Sequence, residues 1–304
     1  MRRLAVVCAV LAAAVWGSSA RADSTVLVTP SDTIAPTTTP GTGWSLGVFD
    51  YIGEVALSGP WTGGTAAIVS GSASFSPPGG AGAVNLATAS GGGDGAAAVA
   101  TEQFDNTLLS SITALSYSAY SVTNNGQQFP YLALSVNTGA VDNNSDAGAS
   151  ANTPDTLFFE PPYQQPTTGN PSLPDQGATV MDEWQTWNAL EGGFWDNNDA
   201  IGSGGFDLVN SIQSFLALYP DAYITSSGLA GLGGLALQVG FGLPTDNFDG
   251  YVSNLSVGIN GDTTTFEFGP AVAAVPLPST VWGGGVLLAG LGALKVLKRR
   301  PVTV

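Results

Sequence analysis

Trp184, Trp187, Phe194 and Trp195, with Asn188 and Asp196 among them, form the densest group of ligand-holding side chains in this sequence. Flat aromatic faces beside hydrogen-bonding groups suit sugar rings. Trp184, Trp187, Trp195 and Asn188 are therefore the candidate glycan-binding set. The same tryptophans fit a second reading, as large aromatics stiffening a core, because such residues are mostly buried. A second group, Asp142, Asn144 and Asp146 followed by Asp155, offers oxygen ligands at alternate positions, as a hard cation such as calcium prefers. It lacks the acidic twelfth-position ligand of an EF-hand. Asn, Asp, Ser and Gly are also the residues of plain surface turns.

Inventory excludes most other chemistry. There is no histidine, and the single cysteine is Cys8, so imidazole zinc sites, Ser-His-Asp triads and Cys-His dyads cannot be built. The Glu-x-Asp-x-x-Glu strand motif of sandwich-fold glucanases is absent, and Glu102-Gln103-Phe104-Asp105 comes nearest with the wrong spacing. Gly91-Gly92-Gly93-Asp94-Gly95 lacks the lysine of a phosphate-binding loop and reads as a turn. Two carboxylates distant in sequence remain a conceivable catalytic arrangement.

The formal net charge of -16 is unevenly spread. All 7 basic residues (Arg2, Arg3, Arg21, Lys295, Lys298, Arg299 and Arg300) lie in the terminal segments, and all 23 acidic ones lie between Asp23 and Glu267. The region between Ala22 and Leu294 therefore has no side-chain cation and forms no internal salt bridge. Such a surface repels phosphate backbones, which excludes nucleic acid as a partner, and attracts metal ions or cationic groups. Self-repulsion that keeps the protein soluble explains the same charge without a partner.

The two ends read as export signals. Arg2 and Arg3, an apolar run from Leu4 to Trp16 and the small-residue site Ala20-Arg21-Ala22 predict a signal peptide over residues 1–22, cleaved before Asp23. At the other end, Val275-Pro276-Leu277-Pro278-Ser279 precedes a Gly-rich apolar stretch and the cluster Lys298-Arg299-Arg300. A helix over about residues 280–297 would span about 27 Å, close to the hydrocarbon thickness. Its basic end belongs on the cytoplasmic side, with the acidic region outside.

Pro-x-Pro, a marginal Gly-rich span and a terminal basic cluster, in that order, resemble the PEP-CTERM sorting domain, here in a Val-Pro-Leu-Pro variant with Leu277 where Glu is commonest. The resemblance covers about the last thirty residues. It implies an exosortase-like processing enzyme as partner, with Pro276, Pro278 and Ser279 as recognition positions, and a Gram-negative, exopolysaccharide-making setting. A permanent anchor that nothing cleaves is the alternative.

Between these ends, residues 23–43 read as an extended Thr/Pro-rich leader and 44–269 as one ectodomain; 270–304 hold the sorting segment. Short β-branched and aromatic runs broken by Gly, Pro, Asn and Asp predict antiparallel strands, about ten to a dozen in number. Along Ile112 to Val122, Leu115, Tyr117 and Ala119 face one way and Ile112, Ala114, Ser116, Ser118 and Tyr120 the other. Phe129–Val136 and Asp155–Glu160 read as a hairpin, and Leu208–Tyr219 as the one helix, with Asp207 as cap and Pro220 as stop. Asn260-Gly261 predicts a tight turn joining Tyr251–Ile259 to Thr263–Phe268. The expected fold is all-β, a two-sheet antiparallel jelly-roll sandwich with one short helix plus a C-terminal transmembrane helix. Phe248-Asp249-Gly250-Tyr251-Val252-Ser253-Asn254 resembles the last strand of concanavalin-like or laminin-G-like sandwiches, with Ser253 in place of the usual Asp.

Three functions remain open on this reading. The first is an exported, non-catalytic surface or matrix protein, associated with exopolysaccharide and binding glycan. The second is a secreted glycan-active hydrolase using a carboxylate pair, and the third a purely structural adhesin or coat component.

Overall fold

Alternation decides the architecture. In the computed structural model, the described residues are 23–34, 43–50, 64–72, 75–80, 82–88, 95–124, 128–138, 155–196, 210–226, 234–240 and 247–270. The signal peptide, the leader from residue 35 to 42, the loop carrying Asp142, Asn144 and Asp146, the start of the expected helix and the sorting segment from residue 271 lie outside them. Contacts divide the chain into two units, Met1–Pro270 and Ala271–Val304. Among the described residues no helix is long and apolar enough to cross a membrane.

The described residues are mostly strand. In chain order they form β1 (Ser24–Val28), β2 (Thr33–Ile34), β3 (Trp44–Asp50), β4 (Thr65–Ser70), β5 (Gly82–Ala87), β6 (Gly95–Thr101) and β7 (Ile112–Thr123). There follow β8 (Tyr131–Asn137), β9 (Asp155–Phe159), β10 (Gln185–Asn188), β11 (Trp195–Asp196), the helix α1 (Ile212–Leu218), β12 (Tyr223–Ile224), β13 (Leu235–Val239), β14 (Asp249–Ile259) and β15 (Asp262–Phe268). Fifteen strands exceed the ten to a dozen expected, because two- and four-residue pieces such as β2 and β10 show no periodicity in sequence.

Two sheets face each other. In the first, β14 lies along β7 with three register shifts, and β10 extends the β7 edge. On its other side β14 pairs with β5, then with β15. The second sheet runs β11-β9-β8-β13-β6-β3-β2, with β12 also on β8. Most pairings are antiparallel, as expected, but β1 adds parallel to β15 and β2 parallel to β3. Residues 24–28, expected in the leader, are thus a strand of the sandwich, with Val28 in the core.

The core lies between the sheets. Leu115, Tyr117 and Ala119 point into it as the alternation predicts, and Ile112 joins them because the pairing with β14 shifts by a residue there. Trp44 of β3 meets Phe266 and Phe268 of β15 edge-on at 5.2 and 5.1 Å, tying one sheet to the other. Such ring pairs contribute about 1 kcal/mol each beyond their buried area. The Tyr117 hydroxyl crosses the same space and donates to the Pro130 carbonyl at 2.7 Å.

Local signals hold where they rest on turn or cap chemistry. Asn260 and Gly261 take φ values of 53° and 89°, the positive pair that closes β14 onto β15. β8 and β9 pair antiparallel as expected. The helix starts at Ile212, capped by the Ser211 side chain accepting from Ser214 N. It buries Ile212 and Phe215.

Candidate functional site

The candidate tryptophans lie on a stretch from Glu160 to Asp196 with little regular structure, so something other than a strand ladder must hold it. Three glutamines do this. Gln164 Oε1 accepts from Gly193 N at 2.9 Å, while its Nε2 donates to the Gly193 and Glu160 carbonyls at 3.0 Å. Gln176 clamps both backbone groups of Asn188, and Gln185 bridges Val180 N and Ala178 O. A primary amide presents one acceptor and two donors, like a piece of backbone. Neutral side chains therefore satisfy this segment in a domain that has no side-chain cation.

The tryptophans then part company at β10, which contains Trp187 alone. Trp187, three positions after Trp184, faces the opposite side of the first sheet. It is 0% exposed and packs edge-on against Phe129 at 5.8 Å. As a glycan contact Trp187 is corrected: side-chain alternation puts it in the core. Asn188 is exposed, with its backbone held by Gln176. Trp195 pairs in the second sheet instead. The four candidates therefore share no single surface.

Trp184 stays on the outer face of the first sheet and finds partners absent from its own neighbourhood in sequence. Its ring lies 5.5 Å from Tyr120 of β7 and 6.3 Å from Phe75. Phe75 stacks on Tyr251 of β14 at 4.1 Å, and Tyr251 approaches Tyr120 at 6.1 Å. These four half-buried rings make one aromatic platform. Gly250 lets β14 lie close enough: a Cβ there would collide with the Tyr120 carbonyl and the Phe248 ring. The segment carrying Trp184 is docked by Asp182 N donating to Ser121 O at 2.8 Å and by a hydrogen bond between Ser118 and Thr186 at 2.9 Å.

Carboxylates stand at both ends of the platform. Partial burial, then the charge of Asp182 and a hydrogen bond to it, raise the pKa of the Tyr120 hydroxyl. Partial burial, then Asp249 and Tyr120, do the same for Tyr251. Asp249 is positioned by Asn85, whose Nδ2 donates to Asp249 Oδ1 at 2.8 Å and to the Gly250 carbonyl at 3.0 Å. Of these residues the tryptophan cluster names only Trp184. Tyr120 was legible as the outward residue of its strand, but only sheet pairing brings Tyr251 and Phe75 to it.

Trp195 belongs to a second patch. Its ring stacks on Phe158 at 4.3 Å, and Phe158 meets Tyr131 at 6.0 Å. Glu160 sits beside them, its pKa raised to about 7 by burial and pulled partly back by the Trp195 side chain. Asp155, the described member of the calcium candidates, is buried, and its Oδ1 accepts from Thr156 N at 2.7 Å. Among the described residues no three or more acidic groups cluster as a metal site.

No protein-family model, no curated protein and no solved structure matches this chain.

Proposed function

We propose that this chain is an exported, non-catalytic matrix or surface protein, directed by its PEP-CTERM-like tail, whose sandwich binds polysaccharide on the platform of Phe75, Tyr120, Trp184 and Tyr251. The observation that carries the sugar reading is that platform: four rings gathered from two strands and two loops, half-exposed, and edged by hydrogen-bonding side chains. Sugar C–H faces stack on such rings while hydroxyls meet the polar rim. The export reading is supported by Arg2, Arg3 and the Ala20-x-Ala22 site, by Val275–Ser279, and by Lys298, Arg299 and Arg300. The finer fold, a concanavalin-like jelly roll with a transmembrane helix over about residues 280–297, belongs to the same proposal.

Retention on immobilised polysaccharide tests the sugar reading. Trp184→Ala should abolish retention with only a moderate fall in melting temperature, since the ring is half-buried and outside the core between the sheets. Lost stability with retention intact would favour the adhesin or coat reading instead. Mass spectrometry of the C-terminal peptide in cell-bound and released protein tests the sorting reading. Release as a chain ending upstream of Lys295 is expected, and a tail intact in every fraction would mean a permanent anchor.

Glu160 favours a second reading, a glycan hydrolase. A buried carboxyl titrating near pH 7 beside Trp195 is what a general acid requires. New reducing ends from a polysaccharide panel, lost in Glu160→Gln, would establish that reading over the first.

A further inference from the structure

Resting on the sugar-binding reading of the platform, we infer that the glycan it takes is a cationic amino-sugar polymer, one whose amines are not all acylated. Two independent features converge on this class. The first is what edges the rings: the exposed Asp182 carboxylate beside Tyr120 at one end, and Asp249, held by Asn85, beside Tyr251 at the other. The second is what the chain lacks. Between Ala22 and Leu294 there is no Lys, Arg or His, so no side chain can pair with a uronate, sulfate or phosphate on a bound polymer.

Charge complementarity then selects among sugars. An anionic polymer meets two carboxylates at the site and a uniformly negative domain around it. A neutral polymer gains stacking and hydroxyl hydrogen bonds to the rim, without charge pairing. A polymer bearing ammonium groups gains the same stacking, a charge-assisted hydrogen bond at either end, and attraction of its cations to the faces of Trp184, Tyr120 and Tyr251. Asp182 is placed for this by its backbone: at φ 59° it sits in a tight turn whose N–H is tied to Ser121, so the carboxylate stays against the ring edge. The ends of the platform thus act as selectivity elements, and the rings as the general sugar contact.

The test compares three probes on the full-length chain in a zwitterionic detergent: hexamers of N-acetylglucosamine, the deacetylated glucosamine hexamer, and alginate as a polyuronate, the last with and without calcium. At about pH 6 the deacetylated hexamer should bind about tenfold tighter than the acetylated one, and the difference should shrink as salt is raised. Asp182→Asn with Asp249→Asn should remove most of that difference, weakening the deacetylated hexamer far more than the acetylated one. Trp184→Ala should weaken both hexamers, and Asp221→Asn, on the exposed turn after α1, should change neither.

Equal binding of the two hexamers, or alginate bound as well as the deacetylated hexamer with or without calcium, overturns the cationic assignment while leaving sugar binding standing. An equal loss in Asp221→Asn would assign the preference to bulk charge and overturn the site. Failure of all three probes, or no effect of Trp184→Ala, removes the platform reading itself.

Discussion

Glu160 shows how a single side chain acquires a property its sequence position does not announce. It follows β9, where alternation puts it on the same face as Phe158, and there burial disfavours its ionised form. With the folded pKa raised from 4.5 to about 7, its favourable contribution is complete below about pH 4.5 and is lost as pH rises through 7. Glu160→Gln should therefore match the wild type in acid and exceed it above about pH 8, by up to about 3 kcal/mol. Chemical denaturation at several pH values measures this. Parallel wild-type and variant curves from pH 5 to 8 would mean that Glu160 ionises freely in the folded chain.

At the scale of elements, the long irregular connection from β9 to β11 depends on amides in place of a ladder. Gln164 is its key member, 5% exposed and bonded to both backbone groups of Gly193. Gln164→Ala leaves a buried N–H and two carbonyls without these partners, a loss of about 2–4 kcal/mol. Hydrogen exchange at Gly193 should speed up with the fall in melting temperature, and unchanged exchange there would show that the clamp does not hold the segment. None of the three glutamine staples was legible in the sequence, because glutamine carries no local signal and its partners lie 4 to 29 positions away. By contrast the Asn260-Gly261 turn was legible from two residues, since its positive φ values are a local steric requirement.

For the whole molecule, the governing fact is a domain that holds all 23 acidic residues and none of the basic ones. Carboxylates crowded by folding repel one another more than in the extended chain. Added salt should therefore raise the melting temperature, as the screening length falls from about 30 Å at 0.01 M to about 3 Å at 1 M. Acidification from pH 7 towards 5 should raise it too, with Glu160 contributing in the same direction. A melting temperature that falls with salt would contradict this account. The same inventory predicts that trypsin leaves residues 22–295 uncut even in the denatured chain. Any internal tryptic peptide would refute it.

The sequence by itself determined what depends on composition and short-range geometry. It decided the absence of thiol and imidazole chemistry from the acidic domain, the one-signed charge, an all-β sandwich, the last hairpin and the parity of β7. Only the tertiary structure decided where the aromatics go. β10 begins only at Gln185 and is too short to show its period, so Trp184 and Trp187 read as neighbours although Trp187 points into the core and Trp184 packs on outer rings. The rings that do surround Trp184 come from Phe75, Tyr120 and Tyr251, up to 109 positions away. Hydrogen bonding between strands distant in sequence creates that proximity, and no local periodicity encodes it.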